Sequence, residues 1–209
     1  MNRLPRSTKH SWPSFVPFVV ILEPVMPVVI GLLRGVNLAG HNQIRMEVLR
    51  DLCDSLGLRD SRTLLQSGNV VFRTTGRNLA RLAARIEDAI EKKAGFHCSV
   101  ILRTPTDLKD VIARNPFASR EGLNPGKLIV TFLPTDPSPE VRDAVRALKT
   151  DPEEVRVHAR EVYTYFPDGM GRSKLVPVME RILKKSGTGR NWNTVTKLLE
   201  MAEALENAR

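Results

Sequence analysis

Short apolar runs alternate with residues at helical spacing along the first half of the chain. Val28–Leu33 is a nearly continuous apolar run, too short for a helix, and is typical of a strand buried on both faces. Ser67-Gly68 joins two strand-like runs as a tight hairpin would. The pattern predicts strands at 28–33, 63–66, 69–72 and 98–102, and amphipathic helices that stop at Gly57 and Gly95. This βαββαβ order is the split βαβ pattern of the ferredoxin-like fold.

The second half of the chain repeats this pattern with a different ending. A strand at 127–133 precedes a helix that opens at Ser138-Pro139, a hairpin at 155–166 and a helix near Pro177. Residues 187–191 are too few and too polar to predict a final strand, and a last helix follows from Trp192. We therefore predict an α+β fold of two tandem ferredoxin-like subdomains, the second of βαββα type with an altered ending and a C-terminal helix.

The predicted organisation has four parts. Residues 26–115 form the first subdomain, with a short connecting helix at 106–114 capped by Thr106, and residues 116–126 are a linker loop. Residues 127–209 form the second subdomain. Residues 1–25 are expected to be a disordered or loosely packed extension that adds nothing to the fold, and to be untranslated if the real start is Met26.

The first residues resemble a secretory signal only in part. Three basic residues precede the apolar run 15–22, but Pro17 interrupts the run, and no small-residue cleavage site follows it. A membrane span at 15–33 would carry Glu23 and three prolines. We therefore expect a cytoplasmic protein that does not associate with membranes.

The net charge favours an anionic partner. The 209 residues carry 32 Lys and Arg against 23 Asp and Glu, a formal net charge of +9. Between Met170 and Lys197 seven basic residues face one acidic residue, so +6 of that charge lies there. The two cysteines and four scattered histidines predict no disulfide framework, metal site or cofactor, and Cys53 has the spacing of a buried core thiol.

Five stretches of the chain carry a family resemblance. They are LLRGVN at 32–37 with Gly40, LQSGNVVF at 65–72, NPF at 115–117, GMGRSKL at 169–175 and RNWNTV at 190–195. With them the chain resembles the bacterial family "domain of unknown function 1697" over residues 26–209. The resemblance implies little about function, because that family is itself uncharacterised.

Two loops of the first half offer candidate ligand contacts. Arg34, Gly35 and Asn37 follow the first strand, where Arg34 can bind an anion and Gly35 allows close backbone approach. The alternative is that Arg34 pairs with a carboxylate while Asn37 shapes the turn. Gln66 and Asn69 offer amide groups at the hairpin, although turn formation alone explains a sequence of this kind.

Two glycine-containing segments of the second half precede helices and carry basic residues. The first supplies Gly171, Arg172, Ser173 and Lys174, and the second supplies Arg190, Asn191, Asn193 and Thr194. Helix N-termini bind anions through free backbone N–H groups, which is the functional interpretation of both segments. The alternative is a turn with solvated basic side chains, followed by a helix capped by Asn191 or Asn193. Trp192 lies on the apolar stripe and is interpreted as a core residue.

No catalytic motif is recognisable, so catalytic residues stay unassigned. The leading hypothesis is a binder of an anionic ligand, with nucleic acid first. The rival is an enzyme or sensor for a small phosphorylated metabolite or nucleotide, in which Arg34, Arg172, Lys174 and Arg190 converge on one pocket with Asn37 and Asn193. A flat basic track would favour the polymer, and a shared concave site would favour the small ligand.

Overall fold

The described residues form two antiparallel sheets of four strands and six α-helices. The structure is a computed structural model that describes residues 26–37 and 41–208, so the expectation for residues 1–25 lies outside it. The strands are β1 (Val28–Leu33), β2 (Arg59–Leu64), β3 (Asn69–Arg73), β4 (Val100–Arg103), β5 (Leu128–Phe132), β6 (Glu154–His158), β7 (Glu161–Tyr165) and β8 (Thr188–Asn191). The helices are α1 (Met46–Ser55), α2 (Leu79–Ala94), α3 (Pro105–Ala113), α4 (Pro139–Arg146), α5 (Leu175–Ile182) and α6 (Trp192–Asn207).

Both sheets have the same strand arrangement. The first has the order β2-β3-β1-β4 and the second β6-β7-β5-β8, with antiparallel neighbours throughout. Strand β1 lies between β3 and β4, and Ile30 pairs with Val71 on one side and Arg103 on the other. Each half of the chain therefore builds its sheet by the same connections.

Strand β1 shows why its sequence is apolar at nearly every position. All six of its residues are buried, as predicted. Val28, Ile30 and Leu32 face one core, while Val29 and Leu33 face another that is closed by α1 and α2. Because neighbouring residues of a strand point to opposite faces, a strand covered on both sides needs apolar residues in both sets.

A core shared by both sheets joins the two halves of the chain. Helices α3 and α6 pack into it together with the inner faces of the two sheets. Phe117, in the predicted linker loop, is buried there, and Tyr163 donates a hydrogen bond of 2.9 Å to the carbonyl of Val111. Arg103 forms a buried ion pair of 3.1 Å with Glu161 and donates to the carbonyl of Leu133 at 2.7 Å. Polar contacts inside the core thus link the first half to the second.

Two local predictions are wrong. The hairpin between β2 and β3 has a four-residue turn at 65–68 instead of a two-residue one, with positive φ at Leu65 and Gly68. Helix α3 is capped by Thr104 instead of Thr106, because Thr104 and Asp107 form a capping box with Pro105 at the first helical position.

The prediction that the second half lacks a final strand is also wrong. Residues 188–191 form β8, which pairs with β5 from Phe132–Thr188 to Ile129–Asn191. The second half is therefore βαββαβ followed by α6. The strand is polar because its two inward side chains, Thr188 and Arg190, hydrogen-bond to groups of the first half.

Gly68 occupies a position that admits no side chain. Its φ is +71°, and a Cβ there would lie 2.7 Å from the Cβ of Leu33 and also against Val36. Gly68→Ala is expected to lower the free energy of unfolding by about 2–4 kcal/mol, through left-handed strain and overpacking. Gly95→Ala is the control, since its φ is +76° with open space around it, and should cost only about 1 kcal/mol. Equal losses in urea denaturation would contradict this account.

Both cysteines are expected to be inert in the folded protein. Burial raises the pKa of Cys53 to about 12 and that of Cys98 to about 11. Because the thiolate is the reactive form, a disulfide-exchange reagent at pH 8 should label neither thiol in the native state and both after denaturation. Rapid labelling of a native thiol would contradict the buried positions.

Candidate functional site

The outer face of the second sheet, α5 and the loop after β1 enclose a cleft. Its volume is about 330 Å³. Strands β5, β7 and β8 form the floor, and Val176, Met179 and Leu183 form a wall beside α5. The mouth, which is the half-buried and exposed part of the lining, includes Arg34, Gly35, Glu180 and Lys185. Of the predicted site residues, the cleft thus brings together Arg34, Gly35 and Arg190.

The guanidinium of Arg34 has no hydrogen-bond or ion-pair partner among the described residues. The side chain is half-buried at the mouth of the cleft, and it makes no hydrogen bond or ion pair with any residue in 26–37 or 41–208. The backbone around it is fixed, since its N–H donates to Ser99 at 2.9 Å and its carbonyl accepts from the Cys98 thiol at 3.4 Å. The predicted carboxylate partner is therefore absent from the described part of the chain. The arrangement suits an external anion.

Arg190 lies in the interior instead of at a ligand surface. It is only 7% exposed, and all five of its N–H groups donate to protein acceptors. The acceptors are the Asn69 side chain, the Thr188 hydroxyl at 2.7 Å, and the carbonyls of Leu33 at 2.7 Å, Gly189 at 2.8 Å, Ser67 at 3.2 Å and Gly68 at 3.2 Å. Burial lowers the pKa of Arg190 to about 10, so it is charged at neutral pH.

Asn69 is also an interior residue. It is fully buried, its side-chain oxygen accepts from Nε of Arg190, and its amide donates to the Leu64 carbonyl at 2.9 Å and the Ser67 hydroxyl at 3.0 Å. Two residues proposed as ligand contacts therefore bind each other. Their chemistry is directed at holding the hairpin turn against β8.

Asn37 and Gln66 lie outside the cleft lining. Asn37 donates to the carbonyls of Ile44 at 2.9 Å and Gln66 at 2.6 Å, and accepts from the Ile44 N–H at 2.8 Å. It thereby ties the loop after β1 to the hairpin turn, as its turn-forming interpretation proposed. The side chain of Gln66 lines a separate shallow depression with Arg45 and Arg50.

The segment before α5 forms a different depression. Arg172, Ser173 and Lys174 line it, together with Lys149, Asp151, Glu153 and Asp168, and its volume is about 630 Å³. The Ser173 hydroxyl donates to Glu153 at 2.6 Å and accepts from the Leu175 N–H at 3.1 Å. Gly171 is exposed and lines neither space. Arg34, Arg172, Lys174 and Arg190 thus do not converge on one pocket.

Asn191 and Thr194 form the cap of α6. The Asn191 side chain accepts from the Thr194 N–H at 2.9 Å and from its hydroxyl at 2.8 Å, as the capping interpretation proposed. Asn193 is exposed on the first turn, away from the cleft. Trp192 packs against the shared core, in agreement with its predicted core role.

Several cleft residues carry no recognisable motif. Thr131 and Thr164 lie on the cleft floor, and Lys185 lies at its mouth. The sequence offers one indication of the two threonines, because each is a polar residue within a central strand whose neighbours are apolar. Lys185 has a φ of +53°, directly after Lys184 at +50°, an uncommon pair of left-handed residues outside glycine.

Fold and cleft define a two-sheet α+β protein with a small-molecule-sized cleft beside the junction of its halves. The chain belongs to the family described as "Protein of unknown function (DUF1697)", whose model matches residues 26–163. This confirms the resemblance drawn from the sequence.

A conserved bacterial protein, SP0830 from Streptococcus pneumoniae, has a similar solved structure. The TM-score is 0.69 at 22% identity, covering 85% of this chain and 99% of that one, which supports the fold. A comparison with curated protein sequences found no match. Within 26–37 and 41–208, no helix is long and apolar enough to span a bilayer, and no group of three His, Cys, Asp or Glu is placed to hold a metal.

Arg190 is expected to act in stability. Arg190→Lys keeps the charge but supplies three donors in place of five, which leaves buried carbonyls unpaired. The free energy of unfolding should fall by about 2–4 kcal/mol, while the exposed control Arg181→Lys should change it by less than about 0.5 kcal/mol. Unchanged stability in Arg190→Lys, measured by urea denaturation, would refute a structural role.

Proposed function

We propose that the protein binds a small molecule that joins an apolar body to an anionic group, and that the cleft beside α5 is the binding site. The observation that carries this proposal is the half-buried guanidinium of Arg34, which lies at the mouth of an apolar cleft and has no partner in residues 26–37 or 41–208. A cation with no partner among the described residues and an apolar wall next to it match the two parts of such a ligand.

The charge around the cleft supports an anion. Arg34, Lys185 and Arg190 line it with only Glu180 opposing them. The buried positive charge of Arg190 attracts an anion in the cleft electrostatically. Arg190 cannot donate a hydrogen bond to that anion, since all its N–H groups are occupied. Arg34 and Lys185 are therefore accessible cations at the mouth, and Arg190 is a third, buried positive charge. Low-dielectric walls strengthen the attraction of such a site for an anion.

The walls and volume support a small ligand. Ile129, Val176 and Met170 are apolar residues of the cleft lining that remain partly exposed. A volume of about 330 Å³ lies at the lower end of typical small-molecule sites. Binding that covered these side chains would add a hydrophobic contribution to the charge interaction. A phosphate backbone alone would leave this apolar surface unused.

Nucleic acid is a second candidate, favoured by a different observation. Five exposed cations flank α5 and form no ion pair with any described residue: Arg172, Lys174, Arg181, Lys184 and Lys185. Such a surface attracts polyanions with an affinity that falls steeply with salt. We further infer that each half is a ferredoxin-like unit, which the shared strand order of the two sheets supports.

The test compares binding of phenyl phosphate and phenylacetate by the native chain, Arg34→Ala and Arg181→Ala. Loss of a charge-assisted contact should weaken binding to Arg34→Ala by about tenfold to a hundredfold. Arg181→Ala removes an equal charge outside the cleft lining and should bind as the native chain does. Isothermal titration calorimetry measures all three.

Two results would contradict the small-ligand proposal. One is the absence of binding of either probe to the native chain, and the other is equal weakening by both substitutions. Salt-sensitive retention of single-stranded DNA that is lost in Arg181→Ala and kept in Arg34→Ala would favour the second candidate instead.

A further inference from the structure

Thr164 places an unpartnered hydroxyl on the floor of the cleft. The residue is 3% exposed and lies in the centre of β7, on the sheet face that α5 covers. Its hydroxyl makes no hydrogen bond with any residue of the described ranges. Ser61 is the one described residue with a wholly enclosed, unpaired side-chain oxygen, so the Thr164 hydroxyl retains access to the cleft. A hydroxyl in that position takes its hydrogen-bond partner from the cleft, either water or a ligand that displaces the water.

Thr131 extends the same floor. It lies on β5, where Val162 is its partner on β7 and Thr164 pairs with Ile129, so the two threonines are diagonal neighbours on one face. On its other side Thr131 pairs with Gly189 of β8, which has no side chain to cover it. A Cβ at Gly187 would lie 2.6 Å from Cγ2 of Thr131. The two glycines therefore leave the threonine pair open to the cleft.

The remaining walls favour a ring between this floor and the mouth. Phe166, Met170 and Met179 line the cleft, and Met170 is 49% exposed at its edge. Thioether sulfurs and aromatic rings make favourable contacts with aromatic groups. An alkyl chain would fill the same space but would cover the Thr164 hydroxyl without pairing it. Of two ligands of equal size, the floor thus favours the one that can form a hydrogen bond with the Thr164 hydroxyl.

We infer that the cleft selects a ring-containing acid whose far edge carries a hydrogen-bonding group, which the hydroxyls of Thr164 and Thr131 bind while Arg34 binds the anion. This inference rests on the proposed function and names its ligand class. A hydroxyaryl acid and a nucleoside monophosphate share this chemistry. Thr164 is the residue that determines specificity, because its hydroxyl distinguishes such an acid from an unsubstituted one.

The test uses matched probes: phenylacetate, its 2-, 3- and 4-hydroxy derivatives, and the four ribonucleoside 5′-monophosphates with ribose 5-phosphate as their ring-free control. The native chain should bind at least one hydroxylated isomer about tenfold more tightly than phenylacetate. Two affinity ratios are then compared: that of a nucleotide over ribose 5-phosphate, and that of the best hydroxyphenylacetate over phenylacetate. A larger ratio for the nucleotide would identify a nucleotide as the ligand with this chemistry, and a larger ratio for the hydroxyphenylacetate would identify a hydroxyaryl acid.

Two variants at Thr164 assign the preference to its hydroxyl. Thr164→Val keeps the shape of the side chain and should remove the preference for the hydroxylated isomer, whereas Thr164→Ser should retain it. Thermal midpoints check that both variants fold. The inference is overturned if phenylacetate binds as tightly as every hydroxylated isomer, or if Thr164→Val leaves the preference unchanged. Absence of binding by all probes, phenylacetate included, would instead overturn the proposed function on which the inference rests.

Discussion

A buried guanidinium, whose acceptors among the described residues are carbonyl, amide and hydroxyl oxygens, holds the two halves of the protein in register. Arg190 extends from β8 into the space between the sheets, where carbonyls of the first half accept its N–H groups. An unpaired charge in that environment would be strongly unfavourable, so every acceptor must stay where it is. The last residue of β1 and the turn before β3 both supply acceptors. Their conformations, including the positive φ of Gly68, are therefore constrained by a residue from the far end of the chain.

The buried Arg190 also fixes the backbone from which the side chain of Arg34 extends. Leu33 accepts a hydrogen bond from Arg190, and the next residue is Arg34 at the mouth of the cleft. The end of β1 is thus fixed on the inside, and Asn37 fixes the loop a few residues later. An anchored backbone removes the entropy cost of ordering the loop on ligand binding, so that only the cost of ordering the side chain is left. The carbonyl that Arg190 holds thus directly precedes Arg34, the residue proposed to contact a ligand.

The sequence predicted elements whose cause is local. Apolar runs, helical spacing and the Ser138 cap are short-range patterns, and they identified β1, α2 and α4. Strand β8 was missed because its polar side chains are stabilised by groups about 120 residues away along the chain, which no local pattern reveals. Arg190 had the residue type of an anion contact, and only the tertiary structure shows that carbonyls occupy it. Thr164 gave only a weak signal, that of a polar residue among apolar neighbours in a strand, because the role that we infer for it depends on a ligand that no sequence pattern specifies.

Helix α6 has a consequence for how the chain is made. Its apolar side packs against β1 and β3, and its carboxyl end is held by Arg73 of β3, which donates to the carbonyls of Leu205 at 2.5 Å and Ala208 at 2.6 Å. The strands of the first sheet leave the ribosome before α6, the helix that packs against their inner face. Until α6 has emerged, it cannot cover the inner residues of β1, and of the two helices in the shared core only α3 is available to shield them from other chains and from chaperones. The order of the elements along the polypeptide therefore creates a period in which apolar residues of the first sheet lack their final cover.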